Sequence, residues 1–261
     1  MRQLTRARHL LLVFSLSAVA ASMPARADYP VAPDVVVFCQ PTLRRLVTDL
    51  GAKWTAETGI PVRVFAAPNW ANLAQLAHHT RDDVIFGDGD IVDAKDLIRN
   101  DTALKLWQNK LVAAALADDA ERARAASPPM PLHLASIAGK APIAIVDPPV
   151  AAAGRETEAA LRTLGLWDAV KGDSIGVVGT ADAAFLLSQR KVKLAIVYAS
   201  DARADRDFTV TDTLPVSGQP TVYWAAQTAG ALSPNAGKFL AFLRKPEIRE
   251  QGKNDGLEVL P

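Results

Sequence analysis

VVVFCQPTLRRLVTDLGAKW, residues 35–54, decides the fold. Val35 to Phe38 form a continuous apolar run rich in β-branched residues, as a strand buried on both faces of a parallel sheet carries. Cys39, Gln40 and Pro41 break the run. Leu43, Leu46, Val47, Leu50 and Trp54 then recur at helical spacing, and Thr42 sits where an N-cap hydroxyl belongs. A strand feeding directly into a helix leaves the helix's first N–H groups unpaired at the carboxyl edge of a sheet. With the positive end of the helix dipole and the Thr42 hydroxyl, they suit a small anion. A βα unit whose N-terminus is satisfied by water and its own cap is the alternative.

Outward from this unit the pattern repeats. Residues 61–66 read as a second strand and 84–86 as a third, closed by Gly87-Asp88-Gly89-Asp90. Helices are expected over 70–80, with Leu73, Leu76 and Ala77 inward, and over 92–99. The βαβαβα succession predicts a parallel sheet covered on both faces. Further on, residues 111–116, 143–146, 174–178, 192–198 and the alternating stretch around Phe208 and Val210 read as strands. Helices over 117–126, 154–164 and 181–189 fall among them, and the proline-rich 127–131 cannot be regular. One more strand over 221–226 precedes a helix from Pro234 that carries Phe239, Leu240, Phe242 and Leu243 and breaks at Lys245-Pro246. These last elements return to the first unit. The chain therefore reads as α/β, with two lobes, each a mostly parallel sheet flanked by helices. Lobe 1 takes 28–111 and 221–261, and lobe 2 takes 112–220. Strands join the lobes, not a flexible tether, and no internal repeat is visible at the sequence level.

The first 27 residues stand apart. Arg2, Arg6 and Arg8 precede a short apolar core over 10–21 and Ala25-Arg26-Ala27, the order of a cleavable secretory signal. The core is shorter than the roughly 20 residues of a spanning helix, and no cysteine follows it to carry a lipid. Cleavage after Ala27 would leave a periplasmic chain of 234 residues. The full chain carries 29 Lys+Arg and 28 Asp+Glu; loss of the four leader arginines leaves 25 against 28, a formal net charge of −3. No long basic run survives, which argues against nucleic acid as a partner. Cys39 is the only cysteine, so no internal disulfide forms and the core must stabilise the fold. At the end of an apolar strand it reads as a buried hydrophobe, with a reactive thiol as the second reading.

Motifs for chemistry are few. There is no P-loop, dinucleotide fingerprint or zinc spacing, so no cofactor is expected. Asp88, Asp90 and Asp93 lack the full calcium-loop pattern, and the adjacent His78 and His79 diverge on a helix, so no metal is expected either. Gly172-Asp173-Ser174-Ile175-Gly176 matches a nucleophile elbow, but a helix end precedes it and a strand follows, the reverse of the elbow's order. The chain is read as a binding protein and not an enzyme, a secreted hydrolase using Ser174 or Cys39 being the remote alternative.

Three strand exits remain: Cys39 to Thr42, Asp147 to Gly154, and Gly179-Thr180. The stretch 143–164, with Asp147-Pro148 and Ala152-Ala153-Gly154-Arg155 ahead of a helix, resembles the second lobe of periplasmic molybdate-binding proteins of ABC transporters. So do Gly179-Thr180 ahead of another helix and the run from Ile196 to Ala202. Val37-Phe38 before Thr42-Leu43, Asn109 to Val112, and Ala241 to Leu243 with Pro246-Glu247 are similar to that family's first lobe, crossover and ending. The likeness spans nearly all the mature chain. It implies a type II periplasmic binding fold and a monomer. The ligand would be a tetrahedral oxyanion such as molybdate or tungstate, held in the interlobe cleft by N–H and O–H donors and delivered to a membrane permease. Carried over by motif, Thr42 stands at the family's first-lobe serine, Ala153 at a backbone contact opening a helix, Thr180 at a second helix N-terminus and Tyr198 at a hydroxyl donor. Where the family has a small, serine-rich turn, this chain has Ala67-Pro68-Asn69-Trp70; Asn69 could supply an amide and Trp70 narrow the pocket. Gln40-Pro41 and Gly87-Asp88-Gly89-Asp90 also depart from the family. A different anion or a small organic solute in the same fold is the alternative ligand. Thr42 and Thr180 as plain N-caps, and Tyr198 as a packing ring, are the alternatives for those residues.

Overall fold

The computed structural model describes residues 33–126, 132–216 and 220–260. The expected signal segment and the irregular stretch 127–131 lie outside the described residues. Its elements run β1 (Val35–Cys39), α1 (Arg44–Thr58), β2 (Val62–Ala66), α2 (Asn69–Ala77), β3 (Val84–Gly87), α3 (Gly89–Asp93), β4 (Leu104–Gln108), β5 (Leu111–Leu116), α4 (Ala117–Ala125) and α5 (Leu134–Ile137). They continue through β6 (Ile143–Val146), α6 (Ala152–Thr163), α7 (Trp167–Asp173), β7 (Ile175–Val177), α8 (Thr180–Ser188), β8 (Leu194–Tyr198), α9 (Ala199–Ala204) and β9 (Phe208–Thr213). β10 (Val222–Gln227), α10 (Ala236–Leu243), α11 (Pro246–Arg249) and β11 (Glu258–Val259) close the chain. No helix among the described residues is long and apolar enough to cross a membrane.

Two sheets form, ordered β11-β4-β10-β3-β1-β2 and β7-β6-β8-β5-β9. Both are mixed. β1 lies between β2 and β3 in parallel, and β10, β4 and β11 add antiparallel strands beyond β3. β6 lies between β7 and β8 in parallel, and β5 and β9 add antiparallel strands beyond β8. Each lobe is thus built on a central strand, its two parallel neighbours and an antiparallel extension, an internal symmetry that the sequence hides. The chain crosses between the sheets from β4 to β5 and from β9 to β10.

The continuous apolar runs explain the layering. Alternate side chains of a strand point to opposite faces. Val35, Val37 and Cys39 enter the core under α1 and α10, while Val36 and Phe38 enter the one on the other face. β5 divides likewise, Leu111, Ala113 and Ala115 to one core and Val112, Ala114 and Leu116 to the other. At about 1.5–3 kcal/mol for each fully buried aliphatic side chain, two-faced burial of the central strands is the main fold-forming term. α1 contributes Leu46, Val47, Leu50 and Trp54. It ends at Gly59, whose φ of 73° a side chain would strain.

Local departures have local causes. The helix expected over 92–99 is the shorter α3, started early by Asp88, whose carboxylate accepts the Asp90 N–H, and ended at Ala94. In α2 Ala77 is exposed, and Asn72 turns inward instead. Its amide donates to the Cys39 and Ala67 carbonyls (3.0 and 2.8 Å), tying the ends of β1 and β2 to the helix. β4 has no counterpart among the strands expected from sequence. Its buried residues are Leu106 and Trp107, and its register against β10 shifts at Tyr223/Trp224.

Candidate functional site

The carboxyl ends of all six parallel-paired strands meet at one cleft of about 390 Å³. Open α/β sheets bind ligands at such ends. β1 supplies Gln40, Pro41 and Thr42; β2 leads to Pro68, Asn69 and Trp70; β3 leads to Asp88 and Asp90. From the second sheet come Val150, Ala151 and Ala153 after β6, Val178 to Asp182 after β7, and Tyr198 at the end of β8. All five residues singled out from sequence, Thr42, Asn69, Ala153, Thr180 and Tyr198, line this cleft.

Thr42 is not an N-cap. Pro41, with its preset φ, starts a 3₁₀ turn (Pro41–Leu43) one residue earlier, and the Leu43 N–H closes on the Gln40 carbonyl at 3.0 Å. The Thr42 hydroxyl instead reaches across the cleft to Thr180 Oγ1, 3.4 Å away. Thr180 is not an N-cap either: Gly179 holds that position for α8. Both hydroxyls face Asp201, whose carboxyl burial pushes up to about 6 while these hydroxyls and the Tyr198 N–H favour its ionised form.

Two helices of the second lobe, α6 and α8, present backbone donors. In α6 the first N–H to reach a helix carbonyl is that of Gly154 (to Ala151, 3.1 Å), so those of Ala152 and Ala153 stand outside the ladder. In α8 the Asp182 N–H is the first (to Gly179, 3.1 Å), leaving Thr180 and Ala181. Gly154 has no room for a side chain: a Cβ would collide with the Asp147 carbonyl, so α6 rests directly on the turn leaving β6.

The first-lobe wall is different in kind. Asp88 is buried, and its carboxylate accepts from Asn69 Nδ2 (2.7 Å), Gln40 Nε2 (2.7 Å) and the Asp90 N–H (3.1 Å). Burial and the neighbouring Asp90 raise its pKa, against the pull of Gln40 and Arg155. The Asn69 amide is therefore directed at Asp88. Trp70 stands at the rim, 64% exposed. Arg155 Nη2 lies 3.7 Å from Asp90 Oδ1, an exposed pair bridging α6 and α3.

Behind Tyr198 runs a buried polar chain. Its hydroxyl is 2.8 Å from Thr221 Oγ1, and Thr221 is hydrogen-bonded to Glu156 Oε1. Burial, then the charge of Asp88, pushes Glu156 up to about 7, against Thr221 and Arg155. The same Thr221 accepts the Asn109 N–H on its carbonyl (2.9 Å), and Asn109 Nδ2 donates to Ser200 Oγ (2.8 Å) and Tyr223 Oη (3.3 Å). The chain behind Tyr198 thus shares Thr221 with the crossovers between the sheets.

Neither Ser174 nor Cys39, the residues of the enzyme alternative, lines the cleft. Ser174 follows α7 and precedes β7, with its hydroxyl on the Lys171 carbonyl (3.2 Å). Cys39 is fully buried, and burial pushes its thiol up to about 12. No group of acids, histidines or cysteine among the described residues is arranged to hold a metal. Glu156, Asp201 and Thr221 were not singled out from sequence, and Gln40 stood out only as a departure from the family's small residues. Glu156 reads as one polar residue on an amphipathic helix, and only the fold brings it to Thr221. Asp88 was visible as an acidic departure in a turn.

Two α/β lobes whose parallel strands end at a shared cleft define a solute-binding protein. The chain belongs to the bacterial extracellular solute-binding protein family, whose description matches residues 35–258. It is similar to the molybdate-binding protein ModA of Escherichia coli K12, 26% identical over 234 residues that cover 86% of this chain and 89% of the relative. Among solved structures, the periplasmic molybdate-binding protein of Azotobacter vinelandii shares the fold with a TM-score of 0.69 at 18% identity, covering 87% of this chain and 100% of that one. The substrate-binding domain of a putative molybdenum ABC transporter from Clostridium difficile does so with a TM-score of 0.67 at 16% identity, covering 87% and 99%.

Proposed function

We propose that this protein is the periplasmic binding component of an ABC importer and captures a small oxyanion in the interlobe cleft. The observation that carries the reading is the convergence of Thr42, Ala153, Thr180 and Tyr198 on one cleft together with the open N-termini of α6 and α8. Each helix end carries the equivalent of about half a positive charge. N–H and O–H groups replace the ion's hydration shell without a formal cation, and no bond is made or broken. The names of the relatives make molybdate and tungstate the first ions to try. In this reading residues 1–27 are removed on export. Lobe 1 (28–111 and 221–261) and lobe 2 (112–220) close about the two crossovers, and the monomer hands its solute to a membrane permease.

The test is calorimetry and thermal shift on the mature chain with molybdate, tungstate, sulfate and phosphate. Saturable heat and a raised Tm with at least one ion are expected; no heat and no shift with any of the four would overturn the reading.

A second reading, a small organic solute, is favoured by one observation. At roughly 30 Å³ per water, the cleft of about 390 Å³ holds far more than a five-atom ion, and Trp70, Val150 and Val178 give it apolar walls. Binding of small organic acids with no response to the four inorganic ions would decide for it.

A further inference from the structure

We infer that the solute carries its own hydrogen-bond donor, and that Asp88 is the residue that selects an O–H-bearing oxyanion over a fully ionised one. This rests on the oxyanion reading above and narrows it.

One open acceptor position makes the case. A carboxylate offers about four acceptor positions. Asn69 Nδ2 and the Asp90 N–H occupy Oδ1 of Asp88, Gln40 Nε2 occupies one position on Oδ2, and one position on Oδ2 is left among the described residues. Asn69 is spent on that carboxylate. Only its NH₂ can face a carboxylate, which fixes the amide orientation. Its Oδ1 is thereby turned away from Asp88, buried beside Gly87 and without a hydrogen-bond partner among the described residues. The two amides that would otherwise have donated to an anion, Gln40 and Asn69, are both consumed by Asp88. The first-lobe wall is left with the open Oδ2 position of Asp88 as its acceptor, opposite the backbone donors of α6 and α8.

The charged groups around Asp88 do not reverse this. Asp90 stands beside it on α3, and Glu156 adds to the negative field from α6. Asp182 lines the far wall on α8, and Asp201 lies behind the threonine pair. Arg155 is the cation facing the group, and it leans on Asp90. An ion with no proton, such as sulfate or molybdate, would meet the buried carboxylate with nothing between them. An ion of the same shape and charge that carries an O–H makes a charge-assisted hydrogen bond there instead. Sites built to pair a ligand hydroxyl reject analogues that lack it, because the site's own polar group is left unpaired.

The experiment is calorimetry at pH 8 on the mature chain and its Asp88→Asn variant with four probes. Molybdate and sulfate carry no O–H; hydrogen phosphate carries it on the oxyanion; glycolate carries it on carbon. The wild type is expected to bind hydrogen phosphate or glycolate at least about tenfold more tightly than sulfate and molybdate, and which of the two wins identifies the source of the donor. Asp88→Asn keeps a carbonyl for Asn69 and Asp90 and, with the Gln40 amide turned to accept, offers a donor to the cleft, so the preference should shrink at least about tenfold. Tighter wild-type binding of sulfate or molybdate than of either O–H-bearing ion overturns the inference and leaves the oxyanion reading standing, whatever the variant does. A preference that survives unchanged in a folded variant removes Asp88 as its source and overturns the inference too. No heat from any probe overturns both.

Discussion

Thr42 Oγ1 and Thr180 Oγ1 stand 3.4 Å apart, the first at the exit of β1 and the second at the start of α8. They are a direct side-chain contact between the lobes within the cleft, and both face the Asp201 carboxyl. Thr42→Val and Thr180→Val each remove a hydroxyl while keeping shape. Each should weaken solute binding about tenfold, on the order of 1–2 kcal/mol, with Tm within a few degrees of wild type. Because the hydroxyls touch, the double variant should lose less than the sum. Calorimetry on the four proteins checks this; unchanged affinity in both single variants would remove the pair from the site.

Gly154→Ala tests the seat of α6. The added Cβ would collide with the Asp147 carbonyl and come within 2.8 Å of the Pro148 Cα, both backbone atoms that cannot swing aside. The helix must shift, carrying the Ala152 and Ala153 N–H groups with it. A destabilisation of about 1–3 kcal/mol is expected, with a loss of solute affinity beyond that of either threonine variant. Gly172→Ala, on α7 with open space at its Cβ, is the control. At the next-to-last residue of α7 it should leave stability unchanged or raise it by up to about 0.5 kcal/mol. Urea unfolding and calorimetry on the same samples separate the two effects.

The central strands were legible because two-faced burial writes itself as an unbroken apolar run, as in Val35 to Phe38 and Ile143 to Val146. β4 was not. Only Leu106 and Trp107 of its five residues are fully buried, and its pairing with β10 and β11 depends on segments more than a hundred residues away. The strand exits that line the cleft were legible, since a strand-to-helix junction is a local pattern. The acid–donor pairs were illegible. Asp88 with Asn69, Asp201 with Thr42, and Glu156 with Thr221 are long-range pairs, so no spacing rule could reveal that the candidate donors are already engaged.

Asp83 is a second structural acid, remote from the cleft. It is fully buried where β3 begins. Its Oδ1 accepts the Leu232 and Ser233 N–H groups (2.8 and 2.7 Å), and its Oδ2 accepts the Val36 N–H (2.9 Å) and pairs with Arg81 (3.3 Å). It thereby pins the segment before α10 to the start of β1. Asp83→Ala leaves the buried Val36 and Ser233 N–H groups and the half-buried Leu232 N–H without their acceptor, while Arg81 keeps Asp34, and should cost about 2–4 kcal/mol. The solute affinity of the fraction still folded should be unchanged. Chemical denaturation gives the first quantity; a loss under 1 kcal/mol would contradict the assignment.

The Glu156–Thr221–Tyr198 chain makes both stability and binding depend on pH. The folded carboxyl titrates at about 7 against an ordinary 4.5. Between those values the folded state holds a proton that the unfolded state has released, so stability is greatest below 4.5 and falls as pH rises to about 7. The loss from this group is on the order of 3 kcal/mol. Asp201, at about 6 against 3.8, acts with the same sign at slightly lower pH. Glu156→Gln should therefore raise Tm at pH 8 and leave it near wild type at pH 4. The same titration sets the direction of the hydrogen bonds. An ionised Glu156 can only accept, so Thr221 donates to it and the Tyr198 O–H is spent on Thr221. A protonated Glu156 can donate to Thr221, Thr221 then donates to Tyr198, and the tyrosine proton is released toward the cleft. Affinity for an anion should rise as pH falls from 8 to 6, and in Glu156→Gln, whose amide does not titrate and can donate through its NH₂ at every pH, that pH dependence should flatten. A wild-type affinity that is level across the same range, or a variant that retains the wild-type slope, would show that the Tyr198 hydroxyl does not reach the solute.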